Sequence, residues 1–375
     1  MNGSVVVAGA VARRVRHGGH LWALLQWAVG FHRLGWSVLF LDRLEPGPGV
    51  RGSGRVRRFM EVMELFGLRD AYSLDLGPDE EPVGLDRREV LRRTAEADFL
   101  LNIMGYLEDE AVLGGARKRV FLDIDPGFGQ MWRSLGLCDV FAGHDVFVTV
   151  GTNLGRPDCH IPTCGLSWIP TLPPVVLDLW PPSDEPGRCF TSVGAWRGPY
   201  DAVEFEGEKY GLRAHEFRRF SGVPRECGLP FEVALEIDPR DVADARSLED
   251  GGWRLADPRS VAGGPMRYRR YLRGSRGEFM VAKGMYVRSR SGWFSDRTAC
   301  YLASGRPALV QDTGIDGVLP TGLGLVTFEG PDEAVAEVSR VESAWSVHAR
   351  AARDLAVEHL DSDRVLGRLA SAVTA

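Results

Sequence analysis

Residues 4–41 carry a strand, a loop, a helix and a second strand in close succession, and that succession leaves few architectures open. Ser4–Ala8 is a short β-branched run, and 9–19 is a loop rich in Gly, Arg and His. Leu21, Leu24, Leu25, Ala28, Phe31 and Leu34 then recur at helical spacing from about His20 until Gly35 ends the helix, and 37–41 is the next strand. A βαβ unit this compact implies a parallel sheet whose ligands sit at the strand C-termini. Further strands are predicted at Phe99–Ile103, 119–122 and 146–150.

The chain has 375 residues, 44% of them hydrophobic, which is more than one typical domain needs and enough for two α/β cores. Pro162, Pro170, Pro173, Pro174, Pro181, Pro182 and Pro186 crowd a stretch that cannot continue as helix or central strand, with Trp168 and Trp180 as its anchors. The expected division is an N-terminal Rossmann-like domain (1–170), a proline-rich linker (171–187), a C-terminal Rossmann-like domain (188–345) and C-terminal helices (346–375) packing back on the first domain. Strands of the second series are predicted at 189–193, 232–237, near Trp253, and at 278–282, Ala308–Gln311 and Leu325–Phe328. A mostly helical end presents Val335, Val338, Val341, Leu355, Val365 and Leu369 for packing.

A net charge of −6 argues against a general nucleic-acid binder, so the basic cluster from Arg267 to Arg297 needs a local reason. The six cysteines lack CxxC pairing, and Cys159-His160 with Cys164 has no second ligand pair, so reduced thiols are expected rather than zinc. The N-terminal apolar run is too short for a signal-peptide core, and nothing approaches membrane-span length. A soluble, cytoplasmic protein without stable membrane insertion is expected.

The first loop holds Arg13, Arg14, Arg16, His17, Gly18, Gly19 and His20. It is neither a GxGxxG fingerprint nor a Walker A loop. Gly18 and Gly19 permit close backbone approach to a ligand, and His20 at the helix start can donate a hydrogen bond or act as acid or base; equally, the glycines form a turn and His20 a cap. Asp123 and Asp125 alternate around Ile124 at a strand end, where they can hold a metal, orient sugar hydroxyls or supply a base; equally, Asp123 satisfies a nearby loop and Asp125 starts the Pro126-Gly127 turn. In the second half, Gly194 and Arg197 again follow a strand. The stretch 289–314 then combines a polar loop (Arg290, Ser291, Gly292, Trp293), a helix capped by Ser295 or Asp296 and closed by Gly305, a strand, and the turn Asp312-Thr313-Gly314. Free helix N–H groups, the positive dipole end and nearby cations make an anion site of this kind.

In this layout the chain resembles the GT-B glycosyltransferases, and within them the family 4-like and CgeB-like group. The sharpest likeness is in 289–314, where Phe294, Leu302 to Gly305 and Pro307 fit a Glu-x7-Glu…Ala-x-Ala-x-Gly-x-Pro element. The two glutamate positions fall on Gly292 and Cys300, so both acids are absent; Asp296 is the expected substitute for the ribose contact. The resemblance implies an α/β GT-B fold, with two Rossmann-like domains whose parallel sheets face a central cleft. It also implies a glycosyltransferase that takes a nucleotide-diphosphate sugar and a small-molecule or glycan acceptor. The donor diphosphate is expected against the helix starting near Ser295, held by Lys283, Arg290, Ser291, Gly292 and Arg197, with Gly194, Trp293, Asp296 and Arg297 completing the donor site. Gly18, Gly19 and His20 would reach its sugar, and Asp123 and Asp125 would line the acceptor site. Positive side chains then offset the leaving diphosphate with no metal or other cofactor. The family suggests retention; an inverting enzyme would take His20 or Asp125 as base. A nucleotide-sugar epimerase of the same fold and a degenerate, non-catalytic glycosyltransferase are the alternatives.

Overall fold

A computed structural model of the chain describes residues 3–183 and 185–375; Met1 and Asn2 of the N-terminal run and Asp184 of the expected linker lie outside them. The first half forms an eight-stranded sheet from β1 (Ser4–Ala8), β2 (Ser37–Arg43), β3 (Tyr72–Asp75), β4 (Val83–Gly84), β5 (Phe99–Ile103), β6 (Arg119–Asp123), β7 (Val146–Thr149) and β8 (Trp168–Pro170). Its order is β4-β3-β2-β1-β5-β6-β7-β8, parallel except for β4. The second half forms a wholly parallel sheet from β9 (Phe190–Ala195), β12 (Phe231–Glu236), β13 (Trp253–Leu255), β14 (Gly277–Met280), β15 (Ala308–Gln311) and β16 (Leu325–Phe328), ordered β13-β12-β9-β14-β15-β16. A small hairpin of β10 (Val203–Phe205) and β11 (Glu208–Tyr210) projects between β9 and β12. In each sheet the strand order reverses beside the first strand of its half, β1 or β9, which is where open α/β sheets place ligands.

The helix Gly18–Arg33 is buried around most of its circumference, because it lies between the two halves rather than on a solvent face. Trp22 donates its Nε1–H to the Pro265 carbonyl at 2.9 Å, its ring lies 4.7 Å from that of Trp180, and Trp180 in turn meets Tyr268. Gln26 accepts from the Val176 N–H at 3.1 Å. The proline-rich stretch therefore contributes more than a tether: β8 extends the first sheet at its edge, where a proline costs no interior ladder bond, and Trp180 is fully buried in the shared core. The helix Ser362–Thr374 packs back against Gly18–Arg33, close enough that a Cβ at Gly30 would lie 2.4 Å from Leu366.

Candidate active site

Between the sheets lies a cleft of about 1450 Å³ lined by the C-terminal ends of strands from both halves. The first half contributes Ala10 beyond β1, Met104 and Tyr106 beyond β5, and Ile124 and Asp125 beyond β6; the second contributes Val193–Ala195 of β9, Leu235–Ile237 around the end of β12, and Lys283 beyond β14. The loop after β1 is held in place by Asp42, which is buried and accepts the Ala12 N–H at 2.8 Å; burial pushes its carboxyl up to about 7.

The floor of the cleft is cationic. Arg213, on the short helix Arg213–Phe217, is 8% exposed, and its Nε has no partner among the described residues. Burial, reinforced by Arg297, pulls it down to about 10, with Glu278 and Asp125 offsetting the charge only at longer range. It lies over Gly194: a Cβ there would come within 2.0 Å of one Arg213 Nη and 3.6 Å of an Arg297 Nη. Gly194 thus leaves room for the Arg213 guanidinium, whereas Arg297 would be in ordinary contact with a side chain there. Arg297 is anchored from behind, its Nε donating to Glu278 at 2.5 Å and one Nη to the Val193 carbonyl at 2.5 Å, while the other Nη is unpartnered among the described residues. Glu278 is fully buried, and this pair fixes the guanidinium at the cleft floor.

Arg297 belongs to the helix Asp296–Ala303, capped by Ser295, whose Oγ accepts the Arg297 N–H at 3.2 Å; the positive end of this helix faces the cleft. Asp296 lines the cleft, and burial raises its carboxyl to about 6. Trp293 also lines it and stacks on Tyr286, with ring centroids 4.2 Å apart.

Lys283 meets the first half directly. Its Nζ lies 2.6 and 2.9 Å from the two Asp125 oxygens, above the Phe128 and Tyr286 rings, and the Tyr286 hydroxyl donates to the same carboxylate. Burial lowers the Lys283 ammonium and Asp125 supports it. His20 lines the opposite wall, with Nε2 2.8 Å from the Ala10 carbonyl, which fixes the Nε2–H tautomer and leaves Nδ1 free of a proton; burial lowers the ring to about 4, so it is neutral.

Several expected site residues lie elsewhere. Arg197 is outside the cleft, paired through two hydrogen bonds with Asp241 at 2.6 and 2.7 Å. Arg290 takes a left-handed backbone conformation on the outer side, 3.8 Å from both Asp158 and Asp312. Ser291 and Gly292 are buried in the seam between the halves: Asn153 N–H donates to the Ser291 carbonyl at 3.1 Å, Thr152 Oγ1 to that of Gly292 at 2.8 Å, and the Asn153 amide to those of Arg290 and Gly314. A side chain at Gly292 would strike Thr152 and Asn153, and the left-handed backbone there is strained for any other residue, so no glutamate fits the first family position. Cys300, at the second, is buried against Gln26 on the far side of its helix. Asp123 is 2% exposed and holds Gln130, Thr149 and the Asp125 N–H, so it braces the strand end from below and does not line the cleft. Gly18 and Gly19 line it, but their lack of side chains is explained by the helix Pro265–Arg273 and its cap Gly264: a Cβ at Gly18 would lie 2.4 Å from the Gly264 carbonyl and 2.5 Å from Tyr268, and one at Gly19 3.0 Å from the Tyr268 ring. Arg213 and Tyr286 were not expected. The available signal for Arg213 was an arginine four residues before Phe217 on an otherwise buried helix face.

The six cysteines are free thiols, and no group of three or more metal-ligating side chains occurs among the described residues. No described helix is long and apolar enough to cross a membrane.

No protein-family model matches the chain, and neither does any curated protein. Solved structures do match it over their full length. An α-glucosyltransferase in complex with UDP and a mismatched DNA superposes with a TM-score of 0.60 at 11% identity, covering 100% of both chains. AviGT4, a glycosyltransferase of avilamycin A biosynthesis, gives 0.57 at 13% identity over 98% of this chain and 96% of its own. HepE (Alr3699) of Anabaena, in complex with UDP and glucose, gives 0.55 at 11% over 100% of both. The fold is therefore that of the GT-B glycosyltransferases.

Proposed function

We propose that the protein is a glycosyltransferase that transfers a sugar from a nucleoside-diphosphate donor, with the diphosphate on Arg213, Lys283, Arg297 and the N-terminus of Asp296–Ala303. The observation that carries this reading is Arg213, a buried guanidinium that lines the cleft at the topological switch point and whose Nε has no partner among the described residues. Burying a charge without a partner is costly, and an anionic ligand with several oxygens removes that cost. UDP in two of the similar structures supports the same ligand class. Asp296, close to the start of the capped helix, is assigned to the ribose in place of the two missing glutamates. The domain division proposed is 1–170, 171–187, 188–345 and 346–375, with the last segment bracing the first.

Leaving-group charge would be stabilised where the positive groups already converge, and no metal is assigned. His20, neutral and with its Nδ1 lone pair free, suits accepting a hydrogen bond from a sugar hydroxyl better than taking a proton, since a group near 4 is a weak base at neutral pH. Asp125 is the remaining candidate base. Membership of the family 4-like group, retention of configuration and a cytoplasmic location belong to the same proposal.

A thermal-shift screen across UDP, GDP, ADP and TDP tests the reading: one should raise Tm selectively, with its nucleoside far weaker. The matching nucleotide sugars, incubated with acceptor panels with and without chelator, should then give transfer in both. Epimerised donor in the absence of acceptor, or binding without turnover under any acceptor, would contradict it.

A further inference from the structure

The Asp125–Lys283–Tyr286 contact crosses the cleft at the place the donor's diphosphate is assigned. Lys283 is the cap residue of the helix Gly284–Ser289, and its side chain is 12% exposed. Its only carboxylate partner among the described residues is Asp125, from the other half of the molecule. That carboxylate takes two contacts from the ammonium and one from the Tyr286 hydroxyl. A phosphate would offer Lys283 the same acceptor chemistry, so the two anions compete for one cation. Nothing else holds Asp125 so firmly to the second half, and the residue remains at the cleft wall, 19% exposed.

Resting on the glycosyltransferase reading, we propose that Asp125 and Tyr286 form a latch on Lys283 that the donor diphosphate displaces. The donor then binds first, and the Asp125 carboxylate turns toward the acceptor only once Lys283 is occupied. Tyr286 keeps the latch closed through its hydroxyl, and its ring, stacked on Trp293, carries the opening to the donor wall. A closed latch lowers apparent donor affinity by the fraction of molecules in which Lys283 is free.

The test is calorimetric titration with the nucleoside diphosphate that stabilises the wild-type protein most. Asp125→Asn should bind it about tenfold more tightly, because the competing anion is gone. Tyr286→Phe, which loses one hydroxyl and keeps the ring, should bind about threefold more tightly. Glu236→Gln removes an acid from the same cleft without touching Lys283, and should change affinity less than about twofold. The corresponding nucleoside should bind all four proteins alike. If Asp125→Asn binds no more tightly, or Glu236→Gln matches it, the latch is wrong while the donor site stands. If no nucleoside diphosphate binds the wild type, the glycosyltransferase reading and the latch fall together. Should Asp125→Asn not fold, Tyr286→Phe decides alone, and unchanged affinity there overturns the latch.

Discussion

Ser289–Gly292 and Ser295–Arg297 are separated only by Trp293 and Phe294, yet they serve different parts of the molecule. The first segment is sewn by its carbonyls to Thr152, Asn153 and His160 of the other half and faces no ligand space. The second opens a helix at the cleft floor. Both are polar, glycine- or serine-containing and arginine-bearing, so composition does not separate them. Burial does: Arg290 and Arg197, both off the cleft, are nearly half exposed beside acids, whereas Arg213 and Arg297 are buried and each keeps one nitrogen unpartnered among the described residues. A cation's place in the fold, more than its place in a motif, thus separates the two segments.

The sharpest way to break this contrast is Arg213→Met, which keeps much of the volume and removes the charge. Nucleoside diphosphate affinity should fall by about 100-fold in calorimetry, with nucleoside affinity preserved, as expected when a desolvated charge partner is lost. Gly194→Ala should cost about tenfold without removing any charge, because the added methyl overlaps the Arg213 guanidinium. If affinity is unchanged there, Arg213 does not need its observed position. On the seam, Gly18→Ala collides with Gly264 and Tyr268 and should lower unfolding free energy by about 1–3 kcal/mol in denaturant titrations.

Asp296 sharpens the comparison through pH. Its carboxyl sits near 6, so it is ionised at pH 8 and protonated below the mid-5s. A carboxylate accepts ribose hydroxyls and a protonated acid does so less well, so wild-type affinity for the nucleoside should weaken as pH falls through 6. Asp296→Asn should bind a few-fold more weakly at pH 8 and show no such inflection. The smallest effects belong to Arg197→Ala and Arg290→Ala, which should leave nucleoside diphosphate affinity within about twofold, since exposed, paired arginines contribute little.

The fold was largely readable because hydrophobic periodicity is local. Ser4–Ala8, Phe99–Ile103, Ala308–Gln311 and Leu325–Phe328 stand where their apolar runs predict. β3, β4 and the β10–β11 hairpin went unmarked: they are short, and β10 reads as Val203-Glu204-Phe205 among acidic residues, with its burial supplied by the other half. The site was legible only in outline. Lys283, Asp125, Ser295, Asp296 and Arg297 were expected and do line the cleft, but Arg213 carries no motif and becomes a floor residue only through its tertiary position over Gly194. Gly292 misled because a glycine beside an arginine signals close backbone approach without saying to what. Here it is the other half of the same chain.

The most direct measurement is a crystal structure with the stabilising nucleoside diphosphate bound. Both phosphates are expected within hydrogen-bond reach of Arg213, Lys283 and the first N–H groups of Asp296–Ala303, with the ribose toward Asp296. Phosphates on Arg290 or Arg197, or a ligand that leaves Arg213 unpaired, would contradict that placement.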